Sequence, residues 1–171
     1  MRISSIHYIC RINIILCAFR LIVQVTYLII IRKFQPSDFQ WVIDIERKVF
    51  NEHDPYLYMQ FYENYPETFI VAQNNGIIVG YVAGFQAAQS VGRIFSLAVH
   101  PLYQRRKIGG SLLNEIIHLF REMYLTEIIL EVRWGNVRAR KFYERHGFFQ
   151  YDIAEKYYND AENACLMKLR L

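Results

Sequence analysis

From Leu28 onward the apolar and polar positions fall into recognisable periods. "YLIIIRKF" reads as a strand, and Pro36-Ser37-Asp38 marks a helix start. In "DFQWVIDIERKVF" the residues Phe39, Val42, Ile43, Ile45, Val49 and Phe50 share one side of a 3.6-residue helix. "NEHDPYLYMQFYENYPE" is an aromatic-rich connection with a short helix after Pro55. "TFIVAQ" and "IIVGYVAGF" form a hairpin around Asn74-Asn75-Gly76. A second turn through Ser90, Val91 and Gly92 leads into "RIFSLAV". The rhythm then changes to strand, loop, helix, strand, helix. Leu112, Leu113, Ile116, Ile117 and Phe120 recur at helix-face spacing, so a basic loop opens an amphipathic helix. "TEIILEV" is a strand expected to lie parallel to "RIFSLAV". "NVRARKFYERHGF" is a helix with Asn136 as N-cap and Gly147 as its stop. "FFQYDI" and "NACLMKLRL" supply late strands. Together these predict an α/β (α+β) fold, with a mixed central sheet of about six to seven strands and helices on both faces.

Composition narrows the picture. With 171 residues, 53% of them hydrophobic, the chain suffices for one well-buried domain. Twenty Lys and Arg against 16 Asp and Glu leave a formal charge of +4, less than the excess of a dedicated nucleic-acid binder. Cys10, Cys17 and Cys165 form no CxxC pattern, so neither a disulfide framework nor a zinc site is expected, and a reducing, cytoplasmic setting fits. Residues 1–27 are the anomaly, an Ile-rich stretch interrupted by Arg11 and Arg20. The uncharged run that follows, Leu21 to Ile31, is too short to cross ~30 Å of hydrocarbon at about 1.5 Å per residue. This stretch is read as a hydrophobic extension ahead of a domain over 28–171, the alternative being an interfacial or packed segment.

The loop "HPLYQRRKIGGSLL" bears on function. A loop between a buried strand and a helix N-terminus presents unpaired N–H groups at the positive end of the helix dipole. Gly109 and Gly110 allow close approach, and Arg105, Arg106 and Lys107 add charge. Taken alone, the run is equally a solvated basic loop. It contains neither a P-loop nor a dinucleotide fingerprint.

The run does resemble the acyl-coenzyme-A loop of the GNAT superfamily, Q/R-x-x-G-x-G/A, with Gln104 first and Gly109 last. Lys107 stands where the family has its first glycine. A positive φ there would mean a strained L-residue. "IFSLAVHPLY" is similar to the family strand along the pantetheine arm. "LEVRWGNVRARKFYERHGF" and "KYYND-AENACLM" resemble blocks of the branch that acetylates ribosomal-protein alanine and archaeal protein N-termini. The likeness covers about 28–171.

This resemblance implies acetyl-CoA as co-substrate, held by Leu97, Ala98 and Val99 and by Gln104, Arg105, Arg106, Lys107, Ile108, Gly109, Gly110 and Ser111, with Asn136 and Tyr143. It implies Glu131 as general base, acting through water, with a carboxylate merely paired to Arg133 or Arg105 as the structural alternative. Tyr143, twelve residues on, is implied as the acid toward the departing thiolate, and the N–H of Val99 as oxyanion donor. Seven residues of helix turn through about 700°, so Asn136 and Tyr143 share a face. The acceptor is implied to be a polypeptide N-terminus, a ribosomal protein's among them, gripped by Tyr56, Tyr157 and Tyr158. No metal, nucleic acid or membrane span enters this reading. The alternatives are a small-amine or lysine acetyltransferase on the same fold, and a non-catalytic CoA- or RNA-binding adaptor.

Overall fold

The computed structural model describes residues 28–50 and 54–171. The apolar stretch 1–27 lies outside these, as does part of the aromatic connection, residues 51–53. The described chain runs β1 (Ile29–Lys33), α1 (Phe39–Val49), α2 (Pro55–Asn64), β2 (Phe69–Asn74), β3 (Ile77–Ala88), β4 (Val91–Val99), α3 (Ile108–Glu122), β5 (Glu127–Arg133), α4 (Val137–Arg145), β6 (Phe149–Ala154) and β7 (Ala164–Arg170). The seven strands form one mixed sheet in the order β1-β2-β3-β4-β5-β7-β6. All neighbours are antiparallel except β4 and β5.

Local chemistry accounts for the joints. The β2–β3 turn is Asn75-Gly76, with φ of 49° and 84°. Positive φ at both central residues matches the twist of a two-residue hairpin, and Asn and Gly are the residues that tolerate it. Asp38 ends the turn before α1 by accepting from the Gln35 N–H at 2.9 Å and by a bidentate pair with Arg32 at 2.6 and 2.8 Å. The Asp54 carboxylate caps α2 by accepting from the Tyr56 N–H at 2.9 Å. Asn136 caps α4 by accepting from the Ala139 N–H at 3.0 Å.

Two cores lie against the sheet. One gathers Leu112, Leu113, Ile116, Ile117 and Phe120 of α3 against Val79, Val82, Ile128, Leu130 and Met167. Each such side chain contributes on the order of 1.5–3 kcal/mol by burial. The other is aromatic, with Phe34, Tyr58, Phe61, Phe69 and Tyr81 beside Val42, Ile43 and Ile45 of α1. Within it Tyr58 and Tyr81 share a 3.0 Å hydroxyl contact, and Tyr81 continues at 3.1 Å to Ser96.

The parallel pairing of β4 with β5 covers only three residue pairs, from Val91 with Glu127 to Arg93 with Ile129. Beyond Arg93 the two strands part, while β4 stays registered on β3 up to Val99 with Gly80. The sequence pattern predicted the parallel pair and not its early end.

Candidate acyl-transfer groove

The gap opened by the parting strands is a groove of about 840 Å³. One wall is β4 from Arg93 to Val99, another is Leu130 to Arg133 of β5, and the rest comes from the start of α3, from α4 and from Tyr157 and Tyr158. The His100 N–H donates to Val79 O at 2.9 Å, which makes Gly80 and Val99 a pair whose own backbone groups point away from each other. The N–H groups of Leu97 and Val99 therefore face the gap. There the Val99 carbonyl accepts from Gln104 Nε2 at 3.0 Å.

At the start of α3, Arg105 and Lys107 both take left-handed backbone, with φ of 63° and 65°. Lys107 is the N-cap residue, and no side chain caps this helix. The first N–H groups of α3 are thus left to a ligand or to water, at the positive pole of the helix. Ser111 closes the first turn, its N–H donating to Lys107 O at 3.1 Å. Six basic side chains line the groove, namely Arg93, Arg105, Lys107, Arg133, Arg138 and Arg145, against the one carboxylate of Glu131 among the described residues. Such a lining suits a polyanionic ligand.

Where the strands part, the charges are paired. Arg93 donates from Nε to Glu131 Oε2 at 3.1 Å, with Nη2 at 3.0 Å from the same oxygen, and from Nη2 to Tyr157 Oη at 2.9 Å. Glu131 thus pairs with Arg93. Arg133 instead pins the segment between β6 and β7, with Nη1 at 3.0 Å from Asp160 and 2.7 Å from Glu162, its guanidinium over the Tyr158 ring at 4.0 Å. Backbone N–H donors and Arg133 hold both carboxylates below their ordinary range: for Asp160 the leading donor is the Glu162 N–H, for Glu162 the Gly135 N–H. Burial raises the Tyr143 phenol far above its usual value, and nearby Tyr158 adds to the shift. Tyr143 is therefore neutral across the working pH range, a donor and not a base.

The groove brings together Leu97, Ala98, Val99, Gln104, Arg105, Lys107, Ile108, Gly109, Gly110, Asn136, Tyr143, Glu131, Tyr157 and Tyr158. Three residues named from sequence do not line it. Arg106 lies over the Tyr103 ring at 5.1 Å. Ser111 turns its hydroxyl back to Lys107 O at 3.4 Å. Tyr56, 73% exposed, stands at the start of α2. Conversely, Val49 and Phe50, read from sequence as part of the apolar side of α1, line the groove, as does Arg93. Arg93 has no motif to mark it; its period-two position on a strand beside Glu131 is its only signal.

A cationic groove between parting strands, with a helix start at one side and a carboxylate and a buried phenol within it, is the candidate site of this fold. Residues 36–148 match the acetyltransferase (GNAT) family model. A protein of Methanocaldococcus jannaschii, named as an uncharacterized N-acetyltransferase, is 40% identical over 140 residues, covering 81% of this chain and 89% of its own length. An N-alpha-acetyltransferase of Sulfurisphaera tokodaii is 32% identical over 150 residues, covering 80% and 90%. The crystal structure of Ard1 from Thermoplasma volcanium superposes with a TM-score of 0.81 at 30% identity, over 84% of this chain and 97% of that one. The chain belongs to the GNAT acetyltransferase family and is an N-acyltransferase.

Proposed function

We propose that the chain transfers an acetyl group from acetyl-CoA to the α-amine of a polypeptide N-terminus, directly, within a ternary complex. The observation that carries this reading is the parting of β4 from β5, which sets Glu131, Tyr143 and Tyr157 on one groove with the uncapped start of α3. The similarity to N-alpha-acetyltransferases supports the choice of acceptor.

The donor set suits the cofactor. Arg105, Lys107 and the first N–H groups of α3 would take its phosphates, and the gap-facing N–H group of Leu97 its amide-bearing arm. Gln104 braces this wall through the Val99 carbonyl. Acetyl-CoA, when bound, supplies the activated acetyl thioester. The chain's residues then handle protons and position. An α-amine has a pKa near 8, so a substantial part is already neutral and a base need help only modestly. Glu131, held at Oε2 by Arg93, takes the amine proton through a water at Oε1. The Val99 N–H donates to the acyl oxygen as negative charge grows there. Tyr143, kept protonated by burial, presents its O–H to the sulfur side of the breaking bond. Because a thiol is a stronger acid than this phenol, its part is hydrogen-bond donation to the leaving sulfur.

Incubation with acetyl-CoA and a panel of peptides, free or blocked at the N-terminus and with or without lysine, read by mass spectrometry, tests the acceptor. Glu131→Gln should lower kcat/KM by about 10²-fold, the low end for general-base catalysis, and Tyr143→Phe by about 10–100-fold. Acetylation confined to lysine side chains would overturn the proposed acceptor. Unchanged kcat in both variants would overturn the roles.

A further inference from the structure

Arg93 is the last β4 residue still paired with β5, and its side chain joins Glu131 to Tyr157 within the groove. Both Nε and Nη2 reach Glu131 Oε2, at 3.1 and 3.0 Å, and Nη2 also reaches Tyr157 Oη at 2.9 Å. The contacts bring together positions 38 and 64 residues away in sequence. The Glu131 side chain is only 15% exposed and that of Arg93 33%, so this bridge is better shielded than a surface ion pair. A guanidinium is a rigid planar fork, so it fixes the distance between whatever it binds.

We propose that Arg93 is a positioning residue that makes the site selective for α-amines over side-chain amines, by setting the spacing between the Glu131 carboxylate and the Tyr157 hydroxyl. This rests on the acetyl-transfer reading above. The Tyr157 oxygen accepts from Arg93, which turns the phenol's own O–H outward to donate. A carboxylate that reaches the amine through its water and a hydroxyl donor, both held by one fork, match an amine with a carbonyl next to its α-carbon. The N-terminus of a polypeptide has this pattern. A lysine ε-amine has four methylenes before its α-carbon and cannot satisfy both groups at that spacing. Without the fork, each group still works but their separation is no longer set.

The test compares three acceptors with acetyl-CoA: a peptide with a free N-terminus and no lysine, an N-terminally blocked peptide with one lysine, and an alkylamine with no carbonyl. kcat and KM are measured for wild type, Arg93→Met, Arg93→Lys, Tyr157→Phe and the Met/Phe double variant, with thermal melts to establish folding. Wild type should prefer the free N-terminus. Arg93→Met and Tyr157→Phe should each shrink that preference by on the order of ten- to a hundredfold, chiefly through KM of the peptide, the size of one charge-assisted hydrogen bond. The double variant should lose no more than Arg93→Met alone, because the two act as a unit. Lysine, a point donor without the fork, should not restore the preference. A preference unchanged in folded Arg93→Met overturns the proposal; if that variant does not fold, Arg93→Lys and Tyr157→Phe decide in the same way. Wild-type acetylation without preference overturns this proposal alone. Acetylation of none of the three overturns the acetyl-transfer reading and this proposal with it.

Discussion

Replacing Lys107 by glycine and, in parallel, by alanine separates backbone strain from charge at the start of α3. Lys107 holds φ 65° and ψ 1°, while its carbonyl accepts from the Ser111 N–H, so the helix start depends on a left-handed L-residue. That conformation costs an L-residue about 1–2 kcal/mol. Glycine removes the steric term but carries about 0.5–1 kcal/mol of additional entropy in the unfolded chain. The net for Lys107→Gly, taken at mid-range, is a gain of about 0.75 kcal/mol, or about 1.5–3 °C in Tm for a chain of this size. Lys107→Ala keeps the Cβ and gains nothing. Both variants lose the same exposed cation, so both should weaken CoA binding alike, by about three- to tenfold and less at high salt. Thermal unfolding of the ligand-free protein and calorimetric titration with CoA at two ionic strengths measure the two effects. Equal Tm values for the glycine and alanine variants, or a glycine variant less stable than wild type, would refute the strain argument. Unequal CoA affinities would refute the claim that charge alone is lost.

Other outcomes follow from the same geometry. Phe120→Ala, at a fully buried position of α3, should destabilise by about 3–5 kcal/mol in urea unfolding, since its ring fills the space over Gly84 and Gly92. Tyr81→Phe breaks the buried Tyr58–Tyr81–Ser96 hydroxyl chain and should cost about 1–3 kcal/mol by the same measurement. Asp160 and Glu162 have folded-state pKa values below their ordinary ones, so their contribution is present above the unfolded values and is lost as pH falls through the folded ones. The fall in Tm between about pH 5 and about pH 3 should therefore be smaller in the Asp160→Asn/Glu162→Gln variant than in wild type. Identical pH dependence would remove these carboxylates from the acid response.

What could be read from the sequence was what is local. Asn75-Gly76 announces its turn because both residues must accept positive φ, and α3 announces itself by the spacing of Leu112, Leu113, Ile116, Ile117 and Phe120. Glu131 and Tyr143 were visible through a motif whose spacing survives on consecutive elements. Arg93 was not, because its importance lies in partners from two distant segments. Nor was the end of the β4–β5 pairing: inward and outward positions alternate along β4 without interruption to Val99, and nothing in that pattern records whether a neighbouring strand is present. Aromatic density also hid a distinction. Tyr58 and Phe61 of the connection belong to the core, whereas Tyr56 beside them is exposed and Phe50 faces the groove.

The parted strands also bear on where an open strand edge lies. A strand offering unpaired N–H groups to an extended ligand is ordinarily an open edge, and an open edge recruits other chains as readily as it recruits substrate. Here that edge lies in the middle of the sheet, with β3 on one side and β5 closing the far end, so a stranger's strand has no lateral approach. Pairing along β4 is thereby confined to a guest slender enough to enter the groove, and the lateral edges of the sheet are β1 and β6.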